Sequence, residues 1–238
     1  MISFIVPAHN EEFELPATLR ALRVAADAAA GQPYEIVVVD DSSTDGTGRI
    51  AIEFGARVVP VRLRQIAAVR NAGARAAIGD TFVFVDADTH ITATNVTQAL
   101  EALDAACVGG SARFKPDRAV PLWARLFLRL FCAVYFTLGL GIGAFIFTRR
   151  QHFEAVGGFD ERYFAGEEMY LTLALRKLGR FVILTEPITT SARKIRMHSG
   201  RSLFAQWLRM LLGGRNVLRG RQALDLWYDG KREDTAAS

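Results

Sequence analysis

Thr81-Phe82-Val83-Phe84-Val85-Asp86-Ala87-Asp88-Thr89 is the stretch on which the fold turns. Its first five residues are β-branched or aromatic, an apolar run that reads as a buried strand. Two carboxylates one residue apart follow at its carboxyl end, where an open α/β sheet presents its ligand-binding groups. Carboxylates are hard oxygen ligands and suit Mg²⁺ or Mn²⁺ shared with phosphates. An Asp-x-Asp alone is common in solvated loops. The strand before it gives the pair its meaning.

Two further runs share this grammar. Ile2-Ser3-Phe4-Ile5-Val6 stops at Pro7 and leads into Ala8-His9-Asn10-Glu11-Glu12. Tyr34-Glu35-Ile36-Val37-Val38-Val39 leads into Asp40-Asp41-Ser42-Ser43-Thr44-Asp45-Gly46-Thr47. Between them Leu15, Leu19, Leu22 and Ala26 recur at helical spacing, and Ala67 to Ala77 reads as a small-residue helix carrying Arg70 and Asn71. Strands alternating with helical segments predict βαβ units: an α/β fold with a mostly parallel central sheet flanked by helices. Every polar cluster then falls on one rim of that sheet.

Val6 to Glu12, Val39 to Thr47, Arg70-Asn71-Ala72-Gly73 and Asp86-Ala87-Asp88 resemble, in order and separation, the motifs of family 2 glycosyltransferases of the GT-A fold. Gly157-Gly158-Phe159-Asp160-Glu161 followed by Gly166-Glu167-Glu168 is similar to the family's acceptor-side motif. The resemblance covers roughly residues 1 to 190, and Thr190-Ser191-Ala192-Arg193 resembles compact bacterial members more loosely. It implies a single Rossmann-like GT-A domain over residues 1–230. Residues 1–114 are then the nucleotide-sugar half and 115–230 the acceptor half, with a polar tail at 231–238. The implied activity is inverting transfer of a sugar from a nucleotide diphosphate sugar to an acceptor hydroxyl, with a lipid-linked acceptor among the candidates.

Such transfer needs a grip on the nucleotide, stabilisation of the departing diphosphate and a base for the acceptor. Asp40 suits acceptance from a nucleobase ring N–H, and Pro7 and Ala8 offer backbone contacts; the resemblance places Asp41 and Glu11 nearby. The alternative for Asp40-Asp41-Ser42 is an N-cap or Asx-turn, and for Asp45 the turn is preferred. Asp86 and Asp88 would hold the divalent cation, Mn²⁺ or Mg²⁺. Arg70 would add a charge-assisted hydrogen bond to a phosphate, and His198 is a candidate third ligand. The base is expected at Glu168, where the family ordinarily has Asp; Glu167 is its alternate. Both also suit the positive end of a helix dipole. Gly157 and Gly158 are expected to serve close backbone approach. Gln206-Trp207-Leu208-Arg209 does not reproduce the processive synthases' Gln-x-x-Arg-Trp, so one sugar per encounter is expected. Two alternatives stand beside this reading: a catalytically silent nucleotide-sugar-binding protein, which the Glu167-Glu168 departure leaves open, and a nucleotidyltransferase, against which the lack of a Gly-rich loop after the first strand counts.

Composition sets the remaining bounds. With 238 residues, half of them hydrophobic and 23% charged, the chain suits one globular domain and not a disordered one. Cys107 and Cys132 lie in apolar surroundings and read as core thiols. No secretory pattern opens the chain, so the expected compartment is the cytoplasm. A net charge of +4 without a nucleic-acid motif gives no reason to expect nucleic acid as a partner. The charge is uneven: from Arg193 to Arg221 eight basic residues occur with no Asp or Glu. With Trp207, Leu208, Leu211 and Leu212, this region is expected to hold the protein loosely on an anionic membrane surface; a helix closing the acceptor pocket is the alternative. Leu130 to Thr148 is nineteen residues without a charge, long enough to span a bilayer. Gly139, Gly141 and Gly143 argue instead for a loop followed by a strand at Ala144 to Thr148. Leu122 to Tyr135 reads as an amphipathic helix that packs on the core or lies against lipid.

Overall fold

The computed structural model describes residues 1–29, 31–197, 200, 202, 209 and 217–220. Strands β1 (Ile2–Ala8), β2 (Tyr34–Asp41), β3 (Arg57–Val61) and β4 (Thr81–Val85) alternate with helices α1 (Leu15–Ala29), α2 (Thr47–Glu53) and α3 (Ile66–Ala76). There follow β5 (Thr89–His90), α4 (Ala93–Asp104), β6 (Gly109–Pro116), α5 (Leu122–Thr137), β7 (Phe145–Arg149), α6 (Arg150–Ala155), α7 (Glu167–Leu175), β8 (Phe181–Thr190) and α8 (Arg193–Met197).

One eight-stranded sheet results, in the order β3-β2-β1-β4-β7-β6-β8-β5. Strands β1 to β4 run parallel, and β6 runs parallel to β8. β7 is antiparallel to both its neighbours, and β5 to β8. Ile2 pairs with both Tyr34 and Thr81, so β1, β2 and β4 release the chain at one rim.

Alternate strand residues face opposite sides of a sheet. Phe4, Val6, Val38, Val83 and Val85 meet Leu15, Leu19 and Leu22 of α1 and Val96, Ala99 and Leu103 of α4 on one side. Ile5, Val37, Val39, Phe82 and Phe84 meet α3, Phe153 of α6 and Leu171 and Leu175 of α7 on the other. Burial on both faces is why these strands are apolar at nearly every position. α3 approaches the sheet closely because residue 73 is glycine: a Cβ there would strike Ile5 and stand 2.8 Å from a methyl of Val39.

The uncharged run from Leu130 resolves into the end of α5, a glycine loop and β7. Among the described residues no helix is long and apolar enough to cross a membrane. Cys107 is buried, whereas Cys132 on α5 is only half-buried, so the expected core position holds for the first alone. The polar tail lies outside the described residues, as do His198, Arg201, Trp207, Leu208, Leu211, Leu212 and Arg215.

Candidate active site

The turn after β4 is fixed from three sides. The Asp86 N–H donates to the Ala144 carbonyl at 3.3 Å and the Thr89 N–H to the Asp86 carbonyl at 3.0 Å. The Thr18 hydroxyl on α1 donates to the Ala87 carbonyl at 2.7 Å. The short β5 clips onto the end of β8, Thr89 opposite Thr190, and the Ser191 N–H reaches the Asp88 carbonyl at 3.2 Å. Both carboxylates of the turn therefore have set positions.

An arginine meets each of them. Arg70 is 3% exposed and donates to Asp86 at 2.7 Å, to Glu167 at 2.5 Å and to the Gly143 carbonyl at 3.0 Å. Burial alone would lower its pKa, but Asp86 and Glu167 outweigh burial and keep it charged. Arg193, at the start of α8, grips Glu11 through two bonds of 2.7 and 2.6 Å and stands 3.3 Å from Asp88. Arg70 thus faces a strand end and a helix start at once, while Arg193 ties the loop after β1 to the Asp-x-Asp turn.

Glu167 and Glu168 open α7 behind Gly166, whose left-handed φ of +74° glycine tolerates. Glu167 is buried against Arg70. Glu168 keeps partial access to solvent. Burial pushes its carboxyl up to about 8, the Glu167 carboxylate adds to that, and Arg70 opposes it. The neighbouring Tyr135 hydroxyl is likewise pushed up, by burial first and then by these two acids, and it donates to the Gly141 carbonyl at 3.0 Å.

Pro7 and Ala8 close β1, opposite Val39 and Asp40. Asp40 accepts from the Ser43 N–H three residues on at 3.1 Å, a side-chain cap on the turn after β2, and residue 48 is glycine where a Cβ would stand 2.8 Å from the other Asp40 oxygen. Asp41 is buried, and its two oxygens accept from the N–H groups of Leu63 and Arg64 at 2.8 and 2.7 Å. Asp45 makes the expected turn, accepting from the Thr47 N–H at 2.9 Å. The loops after β1, β2 and β3 each hold a non-glycine residue at positive φ: Asn10 at 52°, Ser42 at 60° and Arg64 at 50°. Backbone strain of this kind concentrates at ligand sites.

Asn71 organises the loop from Gly157 to Glu161. Its side-chain N–H donates to the Phe159 carbonyl at 2.9 Å and its oxygen accepts from the Phe159 N–H at 2.9 Å. A Cβ on Gly158 would stand 2.7 Å from that oxygen, so close approach accounts for Gly158. Gly157 faces open space, and its φ of +80° is the reason for glycine there. A cavity of about 740 Å³ beside this loop is lined by Asn71, Phe153, Phe159 and Arg162 among others. It includes none of the rim carboxylates.

Asp86 and Asp88 offer hard oxygen donors, and the charge around them suits a cation. Burial pushes the Asp88 carboxyl up to about 7; Arg193 pulls it down, while Asp86, Glu11 and Glu14 push it further up. A divalent ion would relieve that excess of carboxylates. Among the described residues no group of three or more His, Cys, Asp or Glu is preformed for a metal, and the candidate third ligand His198 lies outside them.

The sequence model of the family described as Glycosyl transferase family 2 matches residues 3–157. The chain belongs to that family. Over 110 residues this glycosyltransferase is 33% identical to an undecaprenyl-phosphate 4-deoxy-4-formamido-L-arabinose transferase of Aeromonas hydrophila, covering 43% of this chain and 33% of that relative. It is 33% identical over 99 residues to a dolichyl-phosphate beta-glucosyltransferase of Drosophila melanogaster, covering 37% of this chain and 30% of the relative. The matches thus span about a third of the length of these curated relatives. In fold it is similar to glucosyl-3-phosphoglycerate synthase from Mycobacterium tuberculosis, crystallised with Mn²⁺, UDP and glucosyl-3-phosphoglycerate. That comparison has a TM-score of 0.62 and 20% identity, over 92% of this chain and 79% of that one. The fold of this family 2 enzyme is therefore GT-A.

The sequence marked Arg193 only as part of a basic run and of the loosely similar Thr190-Ser191-Ala192-Arg193 stretch, with no role at the Asp-x-Asp turn. The place of Arg193, 105 positions after Asp88, gives no local signal; only the pairing of β5 with β8 brings the two together.

Proposed function

We propose that this glycosyltransferase moves one sugar per encounter from a nucleotide diphosphate sugar to an acceptor hydroxyl, inverting the anomeric centre. The observation that carries the reading is Arg70. One buried guanidinium holds both the Asp86 turn and the head of α7, so the diphosphate-side carboxylates and Glu168 share a rim. The acceptor oxygen bonds to the anomeric carbon as the bond to the diphosphate oxygen breaks, and the hydroxyl proton passes to Glu168. Glu168 is favoured over Glu167 as base because Glu167 is committed to Arg70 while Glu168 reaches solvent. Asp40, with the backbone of Pro7 and Ala8, receives the nucleoside; Asp41 and Glu11 shape that pocket through the Leu63–Arg64 loop and Arg193. Asp86 and Asp88 would hold Mn²⁺ or Mg²⁺, which when bound supplies Lewis-acid stabilisation of the leaving diphosphate.

One observation favours a second reading of the acceptor. The relatives above are named for undecaprenyl phosphate and dolichyl phosphate. An acceptor phosphate is already ionised and needs no base, and a carboxyl held protonated near neutrality would spare it charge repulsion. Release of nucleoside diphosphate from UDP-, GDP- and dTDP-sugars with Mn²⁺, measured with sugar-alcohol and polyprenyl-phosphate acceptors, tests both. Release with hydroxyl acceptors supports the first reading and release only with phosphate acceptors the second. Pyrophosphate as the product would end both.

A further inference from the structure

We infer that α5 is a bilayer-docking element: its outer face lies on an anionic membrane, at the edge of the rim. The inference deepens the function proposed above, since it rests on that rim being the transfer site and names the surface from which the acceptor arrives.

Leu122, Leu126, Leu130 and Val134 recur every fourth residue, and Leu138 continues the row just past the helix end. Four-residue spacing puts neighbours on one face. These side chains are 69, 59, 68, 54 and 57% exposed, and Trp123 beside them 44%. In water such a ridge is unfavourable, and contiguous exposed apolar surface of this kind marks a binding face.

The opposite face explains why the helix is nevertheless held. Ala124 is buried with Val120 and Ala192, and Leu128 and Ile195 pack against them. Phe136 meets Phe114 of β6 edge to face at 6.4 Å, and the Tyr135 hydroxyl reaches the Gly141 carbonyl. The inner face therefore runs from α8, which carries Arg193, to Tyr135 and the glycine loop before β7. Through Ala192 and Ile195, α5 is held beside Arg193 at the edge of the proposed site.

Charge chooses the occupant. Arg118, Arg125 and Arg129 are exposed, the last two on the flank of the apolar row, and no Asp or Glu occurs from 118 to 153. An apolar stripe edged by arginines, on a helix that carries no acid of its own, is complementary to acyl chains beneath anionic headgroups. A second copy of this face would bring arginines against arginines. At sixteen residues α5 lies in the interface and does not span it.

Sedimentation with vesicles of phosphatidylglycerol and phosphatidylcholine, beside vesicles of phosphatidylcholine alone, tests the inference. The full chain is expected to sediment with the first and not the second, and to be released by high salt. The exposed double variant Leu126→Gln/Leu130→Gln should lose at least about tenfold in vesicle affinity. Its circular dichroism and its nucleotide affinity by calorimetry should match the parent. Binding by the double variant equal to the parent's would overturn the inference and assign sedimentation to other surfaces, as would a parent that stays in the supernatant. A dimer by analytical ultracentrifugation that the double variant dissolves would overturn it in favour of a second copy. Nucleotide binding is read separately, so vesicle binding without it would sink the proposed function and leave the docking face standing.

Discussion

At the scale of single residues, the proposed chemistry rests on two acids, Glu168 and Asp88. If Glu168 takes the acceptor proton, Glu168→Gln should lower kcat on the order of 10²–10⁴-fold with hydroxyl acceptors while donor affinity stays unchanged. Glu168→Asp should keep substantial activity. Full activity of the Gln variant with a polyprenyl phosphate would transfer the enzyme to the phosphate-acceptor reading. The raised pKa sets a pH dependence: kcat/KM for a hydroxyl acceptor should climb as pH rises through about 8, as Glu168 loses its proton. Its effect on stability runs the other way. A carboxyl whose folded pKa lies above its unfolded value, about 4.3, favours the folded state fully below that value and loses the contribution as pH rises through the folded pKa. Glu168→Gln should therefore melt higher than the parent at alkaline pH and match it in acid. A parallel pair of melting curves would refute the shift. For Asp88, Asp88→Asn should abolish the Mn²⁺-dependent gain in nucleotide affinity seen by calorimetry, and undiminished binding in EDTA would remove the cation from the scheme.

Elements carry the second level, and here one hydrogen-bonding side chain does the work of a strand. Asn71 presents a donor and an acceptor to the Phe159 backbone, as a neighbouring peptide would. Asn71→Ala would leave both buried Phe159 groups unpaired, a loss of about 1–3 kcal/mol for each unsatisfied group. Thermal melting should register it, and faster proteolysis within the 157–162 loop should accompany it. An unchanged melting temperature would mean that the loop finds other partners. The elements legible in the sequence were those whose signal is local. β1, β2, β4 and β7 are apolar runs, α1 and α3 have helical spacing, and each stands where the pattern put it. β3 was hidden by Pro60 and by the exposed Arg57 of an edge strand. β6 opens with Gly109-Gly110, which weakens any strand reading; a Cβ at Gly110 would collide with the Phe147 ring. β5 is two residues long and exists only because β8 lies beside it. Of the candidate site, the residues at strand ends could be read from sequence. What each carboxylate is paired with could not, because Arg70 and Arg193 reach theirs through the fold.

At the scale of the whole molecule, the pair Arg70–Glu167 joins residues 97 positions apart and ties α3, against the parallel half of the sheet, to α7, which follows β7 in the chain. Its solvent exposure is 3 and 5% for the two side chains, so each charge depends on the other for compensation. Arg70→Met should destabilise the protein by about 3–5 kcal/mol, because Glu167 would be left as a buried, unpaired carboxylate and Asp86 would lose its partner. Replacing both, as Arg70→Met/Glu167→Met, removes that stranded charge and should recover most of the lost stability, since buried ion pairs seldom outperform well-packed apolar residues. Transfer should not return with it: Asp86 would still lack the guanidinium that holds it, and Glu168 would have lost the two charges beside it that tune its proton affinity. Chemical denaturation of the two variants beside the parent separates these effects. A single variant as stable as the parent would show that the pair is not what joins the two halves. A double variant that is both stable and fully active would show that the site does not depend on it either.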